Sequence, residues 1–205
     1  MRNTYKTKHD FKNAITESKI KAAIIRLLET TDITRITVGQ ICSRCGISRS
    51  TFYRHYKDVF DVTEKMEAEV LEEYRSVLMP FKQLAPETVT PSKLKQLVMR
   101  YLHTCYYNRQ LILALVKLGQ FSGFHDQCLR MLYEVVIVLL SDIGWTDDKY
   151  ISFTARYLAS TVFSLLYTWL EQDMIDFQTF YRMYVEVYMT NIEVAERIAN
   201  SIPTL

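Results

Sequence analysis

The chain is predicted to fold as an all-α protein. Its 205 residues include only five glycines and four prolines, whereas an all-β fold needs such turn-forming residues often. Apolar residues recur at intervals of three and four along most of the chain, which is the period of an amphipathic helix. Apolar residues make up 49% of the chain and charged residues 23%, which excludes a disordered or fibrous protein.

Charge divides the chain into two predicted domains, residues 1–60 and residues 61–205. The first domain holds 12 Lys and Arg against five Asp and Glu, a net charge of +7, and the second has a net charge of −5. This asymmetry predicts a polyanionic partner for the first domain, either nucleic acid or an anionic membrane surface. Residues 1–12 are expected to form a loose basic arm. They lack a large apolar face beside their lysines, which argues against the membrane.

Capping residues place the helices of the first domain, of which the first begins near Ile20. Thr37 precedes Gln40 by three residues, the spacing of a capping box, in which each side chain bonds the backbone N–H of the other. Gly46 is expected to end this second helix, because glycine accepts a left-handed turn. Ser48 caps a third helix, expected to run to about residue 56.

The second domain is predicted to hold a long fourth helix and five more. The fourth helix begins after Asp58 and runs to about residue 80. Thr90 caps the next helix, and Pro91 occupies its first position, where a missing N–H costs nothing. The later helices are expected at about 91–107, 108–118, 123–141, 147–172 and 177–199.

Residues 37–56 have the layout of a helix-turn-helix, whose second helix enters the DNA major groove. This second helix carries hydrogen-bond donors, hydroxyls and flat rings, and no acid. Arginine can bind guanine with two hydrogen bonds, and hydroxyls can bind phosphates or base edges. The candidate DNA contacts on this helix and its cap are Ser48, Arg49, Ser50, Thr51, Tyr53, Arg54 and His55.

The segment from Ile20 to Val62 resembles the DNA-binding domain of the TetR/AcrR family of transcriptional regulators. The resemblance lies in the stretches IKAAIIRLL, ITVGQI and GISRSTFYRHY. It implies a homodimeric, ligand-responsive regulator, with repression as the expected effect, that binds double-stranded DNA at a near-palindromic operator. By family position, it adds Thr37 and Lys57 to the candidate DNA contacts.

Two positions depart from the family's pattern. Val59 stands where the family usually has a lysine that contacts phosphate. Gly39 lies inside the second helix, at a cost of up to about 1 kcal/mol relative to Ala. It either permits a close backbone approach to phosphate or weakens the helix. The departures leave open an alternative, a TetR-like co-activator or interaction protein that acts through a protein partner with weakened DNA binding.

The predicted body carries aromatic and methionine side chains that suit flat, apolar or cationic ligands. Ordinary core packing is the competing interpretation. The candidate residues for the pocket of an unknown small-molecule effector are His103, Tyr106, Tyr107, Phe121, Phe124, His125, Met131 and Tyr133. The last two helices present a broad apolar face that is expected to form the homodimer seam. Its candidate residues are Phe163, Tyr167, Leu170, Phe180, Tyr184, Val187, Tyr188 and Asn191.

The four cysteines are expected to be reduced thiols in a cytoplasmic protein, because the polar N-terminus is not a secretory signal. Cys42 and Cys45 have a spacing found in zinc and redox sites, but a zinc site needs two more ligands nearby, so core thiols are the preferred interpretation. No apolar run is long enough to cross a membrane. The sequence shows no catalytic, metal-binding or cofactor-binding constellation, so an enzyme is not expected.

Overall fold

The computed structural model describes residues 8–82, 90–142, 148–172 and 174–201. Within these ranges the regular structure consists of nine α-helices and two short 3-10 helices, with no strand, so the all-α prediction is confirmed. The helices are α1 (Lys8–Leu28), α2 (Val38–Cys45), α3 (Arg49–Tyr53), α4 (Val59–Lys82), α5 (Pro91–Tyr107), α6 (Arg109–Lys117), α7 (Phe124–Asp142), α8 (Asp148–Gln172) and α9 (Phe177–Ser201).

The capping residues act as the sequence predicts. The Thr37 hydroxyl accepts a hydrogen bond from the Gln40 backbone N–H at 3.3 Å, and the Gln40 side chain accepts one from the Thr37 N–H at 2.8 Å. Gly46 ends α2 with a φ of +67°, in the left-handed region. Thr90 caps α5, with Pro91 in its first turn. Local chemistry therefore fixes where these helices begin and end.

Two boundaries differ from the prediction. α1 begins at Lys8, so residues 8–12 of the expected loose arm are helical; Asp10 in the first turn favours this, because negative charge is stabilised at a helix N-terminus. The rest of the arm lies outside the described residues. α3 ends at Tyr53 rather than near Tyr56. The backbone N–H groups of His55 and Tyr56 both bond to the Phe52 carbonyl oxygen, which tightens the last turn.

The chain divides into two compact units. The first holds the chain up to Glu69 together with Ala114–Ser122, and the second holds Val70–Leu113 and the chain from Gly123. Two of the three boundaries fall inside helices, α4 and α6, and the third lies just before α7. The predicted division at residue 60 concerns which residues bind DNA, and it stays a prediction.

The core of the first unit is built by α1, α2, α3 and the start of α4. Ile20, Ile41, Phe52 and Val62 are fully buried. The Phe52 ring lies 5.9 Å from the Tyr56 ring, centroid to centroid. Burying one large apolar side chain contributes about 1.5–3 kcal/mol, so this small core can hold the five-residue helix α3, which has too few residues to be stable alone.

The second unit packs α7 closely against α8 and buries an aromatic cluster at the end of α8. Trp169 and Phe180 stack in parallel with ring centroids 4.1 Å apart. The Trp169 indole N–H donates to the Ile175 carbonyl oxygen at 2.8 Å, which satisfies its polar group. Among the described helices, none combines the length and the apolar character that a membrane crossing requires.

Candidate nucleic-acid interface

The start of α3 is organised by three hydroxyl groups. The Ser48 hydroxyl accepts a hydrogen bond from the Thr51 backbone N–H at 3.1 Å and so caps the helix. The same oxygen lies 2.8 Å from the Ser50 hydroxyl and 2.9 Å from that of Thr51. The three hydroxyls therefore hold one another in place. The Ser50 and Thr51 oxygens keep capacity for a further hydrogen bond to an external partner, whereas the Ser48 oxygen already has three partners.

Four of the predicted contacts are exposed, long or aromatic side chains. Arg49 lies at the first position of α3, Arg54 follows its last residue, and Lys57 lies in the turn before α4. Tyr53 is 57% exposed, although its ring is fixed at one edge by Phe52 at a centroid distance of 5.6 Å. Three cations and an aromatic ring are thus available at the surface around one short helix. This is the donor set that base edges and phosphates require.

Two of the predicted contacts make structural interactions within the first unit. The His55 side chain is only 7% exposed, and its Nδ1 lies 3.1 Å from the Glu17 carboxylate on α1. The Thr37 hydroxyl is engaged in the capping box of α2. His55 therefore joins the end of α3 to α1. Contacts from His55 and Thr37 to DNA stay predictions.

Lys65 and Asp61 on α4 also position α3. The Lys65 ammonium donates to the His55 carbonyl oxygen at 3.1 Å and lies 4.7 Å from the centre of the Tyr56 ring. It also pairs with the Asp61 carboxylate, which accepts the Lys57 backbone N–H at 2.9 Å. Asp61 is expected from the sequence as an acid in the first turn of the fourth helix, after the cap at Asp58. Sequence reasoning missed Lys65, whose only signal is its i, i+4 spacing from Asp61.

Val59 and Gly39, the two departures from the family's pattern, have different surroundings. Val59 is buried with 6% of its surface exposed, so it belongs to the core of the first unit. Gly39 lies beside Arg49, and a Cβ added to it would stand 3.2 Å from the Arg49 Nη2. Lys57, two residues before Val59, is exposed and keeps a positive charge near the start of α4.

The cysteines are free thiols, and all but Cys45 are buried. Burial, with a smaller contribution from nearby Cys42, raises the pKa of the Cys45 thiol, which donates a hydrogen bond to the Lys19 carbonyl oxygen at 3.3 Å. A raised pKa lowers the thiolate fraction and hence reactivity. Among the described residues, no group of three or more His, Cys, Asp or Glu is placed to hold a metal ion.

The predicted pocket residues of the body are spread over several places. His103, Tyr106 and Tyr107 line an open groove of about 570 Å³ together with Glu73 and Thr104. Tyr133 lines a second groove, of about 530 Å³, in which its neighbours include Arg130 and Arg156. Phe124 and Met131 are buried, and His125 is exposed with its ring edge-on to that of Phe163. Phe121 belongs to the first unit, where it contacts Phe60.

The second unit also buries two tyrosine hydroxyls that sequence reasoning did not single out as a pair. Tyr101 on α5 and Tyr184 on α9 are buried, and neither hydroxyl has a hydrogen-bond partner among the described residues. The Tyr101 ring lies 5.4 Å from that of Tyr74. Burial raises the pKa of the adjacent Cys105 thiol to about 12, which keeps this centre uncharged.

Most of the predicted dimer residues are buried within a single subunit. Tyr167 and Asn191 are half-buried, whereas Val187 is 37% exposed. Other apolar side chains are exposed on the same two helices, namely Phe153 and Tyr157 on α8 and Met183 on α9. The buried members of the predicted seam are Phe163, Leu170, Phe180, Tyr184 and Tyr188.

Comparison with known proteins agrees with this geometry. Residues 16–59 match the model of a homeodomain-like domain, and this range contains α2, the turn and α3. A curated relative from Bacillus subtilis (strain 168), the uncharacterized HTH-type transcriptional regulator YxbF, is 25% identical over 160 residues. The match covers 77% of this chain, and the chain spans 40% of the length of that relative.

Solved structures share the fold over nearly the whole chain. NalD of Pseudomonas aeruginosa, the secondary repressor of the MexAB-OprM multidrug efflux pump, has a TM-score of 0.64 at 15% identity, covering 87% of this chain and 97% of its own. A TetR transcriptional regulator from Streptococcus agalactiae 2603V has a TM-score of 0.58 at 19% identity, with coverages of 88% and 97%. The chain therefore combines an N-terminal homeodomain-like helix-turn-helix with the all-α fold of TetR-like regulators.

Proposed function

We propose that the protein is a homodimeric transcriptional regulator of the TetR type. In this proposal α3 of each subunit enters the major groove of a near-palindromic site, and the two copies of α3 are separated by about 34–36 Å, one turn of DNA. The observation that carries the proposal is the short helix α3, with exposed Arg49, Tyr53 and Arg54 around it.

The contacts that hold α3 in place support sequence-specific recognition of DNA rather than nonspecific electrostatic attraction. Glu17 holds His55 from α1, and Lys65 holds the His55 carbonyl from α4. A reading helix fixed on both sides loses little conformational freedom when it binds. Each bidentate contact from arginine to guanine then discriminates by about 1–3 kcal/mol against the wrong base.

Regulation by a small molecule is the second part of the proposal. The unpartnered hydroxyls of Tyr101 and Tyr184 support it, because a buried hydroxyl without a hydrogen bond costs free energy that a ligand acceptor can recover. The effector we expect is mostly apolar and carries hydrogen-bond acceptors. Repression is the expected effect, in keeping with NalD, which is named as a repressor. Coupling between effector and DNA of about 1–3 kcal/mol is typical of such regulators.

The test is selection of bound fragments from sheared genomic DNA at two salt concentrations, with wild type, Tyr53→Ala and Tyr107→Ala. We expect wild type to recover a few sites with inverted half-sites, and affinity to fall linearly with the logarithm of salt concentration. Tyr53→Ala should lower operator affinity by about tenfold, corresponding to about 1.4 kcal/mol. Tyr107→Ala is the matched control in this selection without effector, because this tyrosine is 81% exposed, lies in the second unit and is predicted to contact only the effector.

The same experiment separates the two candidate functions. If the wild-type protein recovers fragments without sequence preference, and loses them at the higher salt concentration, the protein-partner function replaces the proposed DNA-binding function. Buried Val59, which offers no phosphate contact, is the observation that favours this second candidate. If Tyr53→Ala folds and binds the operator as tightly as wild type, α3 is not the reading helix.

A further inference from the structure

We infer that Gly39 is a positioning residue, which sets where the Arg49 guanidinium stands on the DNA-reading surface. The inference rests on the proposed function in that Arg49 must meet DNA. Its basis is a single close approach between α2 and α3. A Cβ built on Gly39 would lie 3.2 Å from the Arg49 Nη2 and 4.0 Å from its Cζ.

The guanidinium therefore lies against the place where a side chain on residue 39 would begin, closer than an ordinary contact. Ordinary contacts of a Cβ with a heavy atom lie at 3.4–4 Å, so 3.2 Å requires one of the two groups to move. Thr37, two residues before Gly39, has its hydroxyl 3.8 Å from the same point. The end of the Arg49 side chain therefore lies beside the first turn of α2, and a Cβ at position 39 would require it to shift by a few tenths of an ångström.

Backbone conformation does not require glycine at this position. Among the described residues, the glycines with a positive φ are Gly46 and Gly119, at +67° and +53°. Gly39 is the second residue of α2 and has helical geometry, in which alanine is more stable than glycine. The helix therefore loses stability by keeping glycine here. The compensating feature on the same residue is the room it leaves for Arg49.

A fixed guanidinium matters more than a mobile one in DNA recognition. Arginine in a free side chain samples many rotamers, and its planar group must be oriented to form two hydrogen bonds at once. Contact with α2 limits these rotamers before DNA is bound, and a preorganised group loses less entropy on binding. Gly39 thus acts through Arg49 and does not itself need to touch DNA.

The substitution Gly39→Ala tests the inference, because stability and affinity should change in opposite directions. Arg49 is exposed, so its flexible end can move away from a new methyl group and the fold is kept. We expect a higher melting temperature from the better helix former. We also expect about tenfold weaker binding to the selected operator, with relaxed preference at the base pair that Arg49 reads.

A double-mutant cycle with Arg49→Ala separates positioning from other causes. In the Arg49→Ala background, Gly39→Ala should no longer change operator affinity, because the group that it displaces is gone. Ser43→Ala is the matched control. Ser43 is an exposed residue on the same helix, so alanine there should leave operator affinity unchanged.

A measurement without DNA makes the contact itself testable. The NMR signal of the Arg49 side-chain Nε–H should report restricted motion in wild type and faster motion in Gly39→Ala. Equal mobility in the two proteins would overturn the inference, as would equal operator affinity or an affinity loss that persists in the Arg49→Ala background. A wild type that selects no operator would contradict the proposed function, while the NMR comparison would still decide whether Gly39 positions Arg49.

Discussion

Asp61 shows how one side chain ties the turn after α3 to the first turn of α4. Its Oδ2 accepts the Lys57 backbone N–H at 2.9 Å and pairs with the Lys65 ammonium at 3.1 Å. Its own backbone N–H donates to the Asp58 carboxylate at 2.8 Å. The hydrogen bond from the Lys57 backbone is the main cause that lowers the pKa of the Asp61 carboxyl below 3.8, and Lys65 adds to it. The turn between α3 and α4 is therefore held by a charged group.

The lowered pKa gives Asp61 a pH-dependent contribution to stability. Because the unfolded chain takes up the proton at a higher pH than the folded one, the stabilisation is present above about pH 4 and is lost as the pH falls through the folded pKa. Asp61→Asn should cost about 0.5–1 kcal/mol at pH 7, a modest loss because asparagine can still accept the Lys57 N–H and the ion pair with half-exposed Lys65 is screened by solvent. Urea unfolding at pH 7 and at about pH 2 measures this difference, which should be much smaller in acid.

The control for Asp61 is Glu64→Gln, an exposed acid one position before Lys65 on the same helix. This change should leave the free energy of unfolding nearly unaltered at both pH values. An equal destabilisation by Asp61→Asn at neutral and acid pH would show that the charge of Asp61 is not what stabilises the turn.

At the scale of the helix, local signals explain what the sequence could predict. The caps at Thr37, Ser48 and Thr90 and the turn at Gly46 act between residues only a few positions apart, and all are found. The direction of a side chain on α3 depends on partners far along the chain. His55 has the right chemistry for DNA, yet Glu17, 38 residues earlier, holds its ring.

The same limit applies to α8 and α9. Helical spacing predicts which residues of one helix share a face: Phe163 and Leu170 do so on α8, and Phe180 lies on the apolar face of α9. Spacing alone does not say whether that face packs within a subunit or between two. The structure buries these three side chains inside one subunit. For this reason, the sequence of a broad apolar face does not reveal its packing partner, whereas the sequence of a cap does reveal where a helix begins or ends.

Packing between α5 and α9 yields a prediction about the effector. Tyr101→Phe and Tyr184→Phe each remove a buried hydroxyl that has no partner in the described part of the chain. Removing such a group should raise the free energy of unfolding without ligand by about 1 kcal/mol. Each change should also weaken the release of DNA by the effector, because the ligand loses a donor. Thermal melts and effector titrations of the operator complex measure the two effects.

Tyr133→Phe is the matched control for these two changes. The Tyr133 hydroxyl lies 3.1 Å from the Ser152 hydroxyl, so its removal breaks a hydrogen bond. We expect no gain in stability from this variant, and a small loss is consistent with the bond. If Tyr101→Phe and Tyr184→Phe lower stability in the same way, their hydroxyls are already satisfied in the fold and the effector site lies elsewhere.

At the scale of the whole molecule, the proposed function requires two subunits. A near-palindromic site has two half-sites, and one short reading helix offers few base contacts, so a single subunit binds weakly. The interface must use side chains that a single subunit leaves exposed. The exposed apolar residues of α8 and α9, among them Tyr157 and Val187, meet this condition. The buried members of the predicted seam contribute by making these helices rigid.

Introducing a negative charge at the exposed faces tests this dimer directly. Tyr157→Glu and Val187→Glu would each place a carboxylate in the proposed interface, opposite or near its own symmetry copy, and burying an unpaired charge is costly. Light scattering should show wild type at twice the chain mass of 24.2 kDa and both variants at one chain mass. Operator affinity should fall as dimerisation is lost, while the melting temperature of the isolated subunit should change little, since neither side chain is buried there.

The control variant Tyr107→Glu, on α5, should stay dimeric. If Tyr157→Glu and Val187→Glu both remain dimeric, the subunits pair through a different surface.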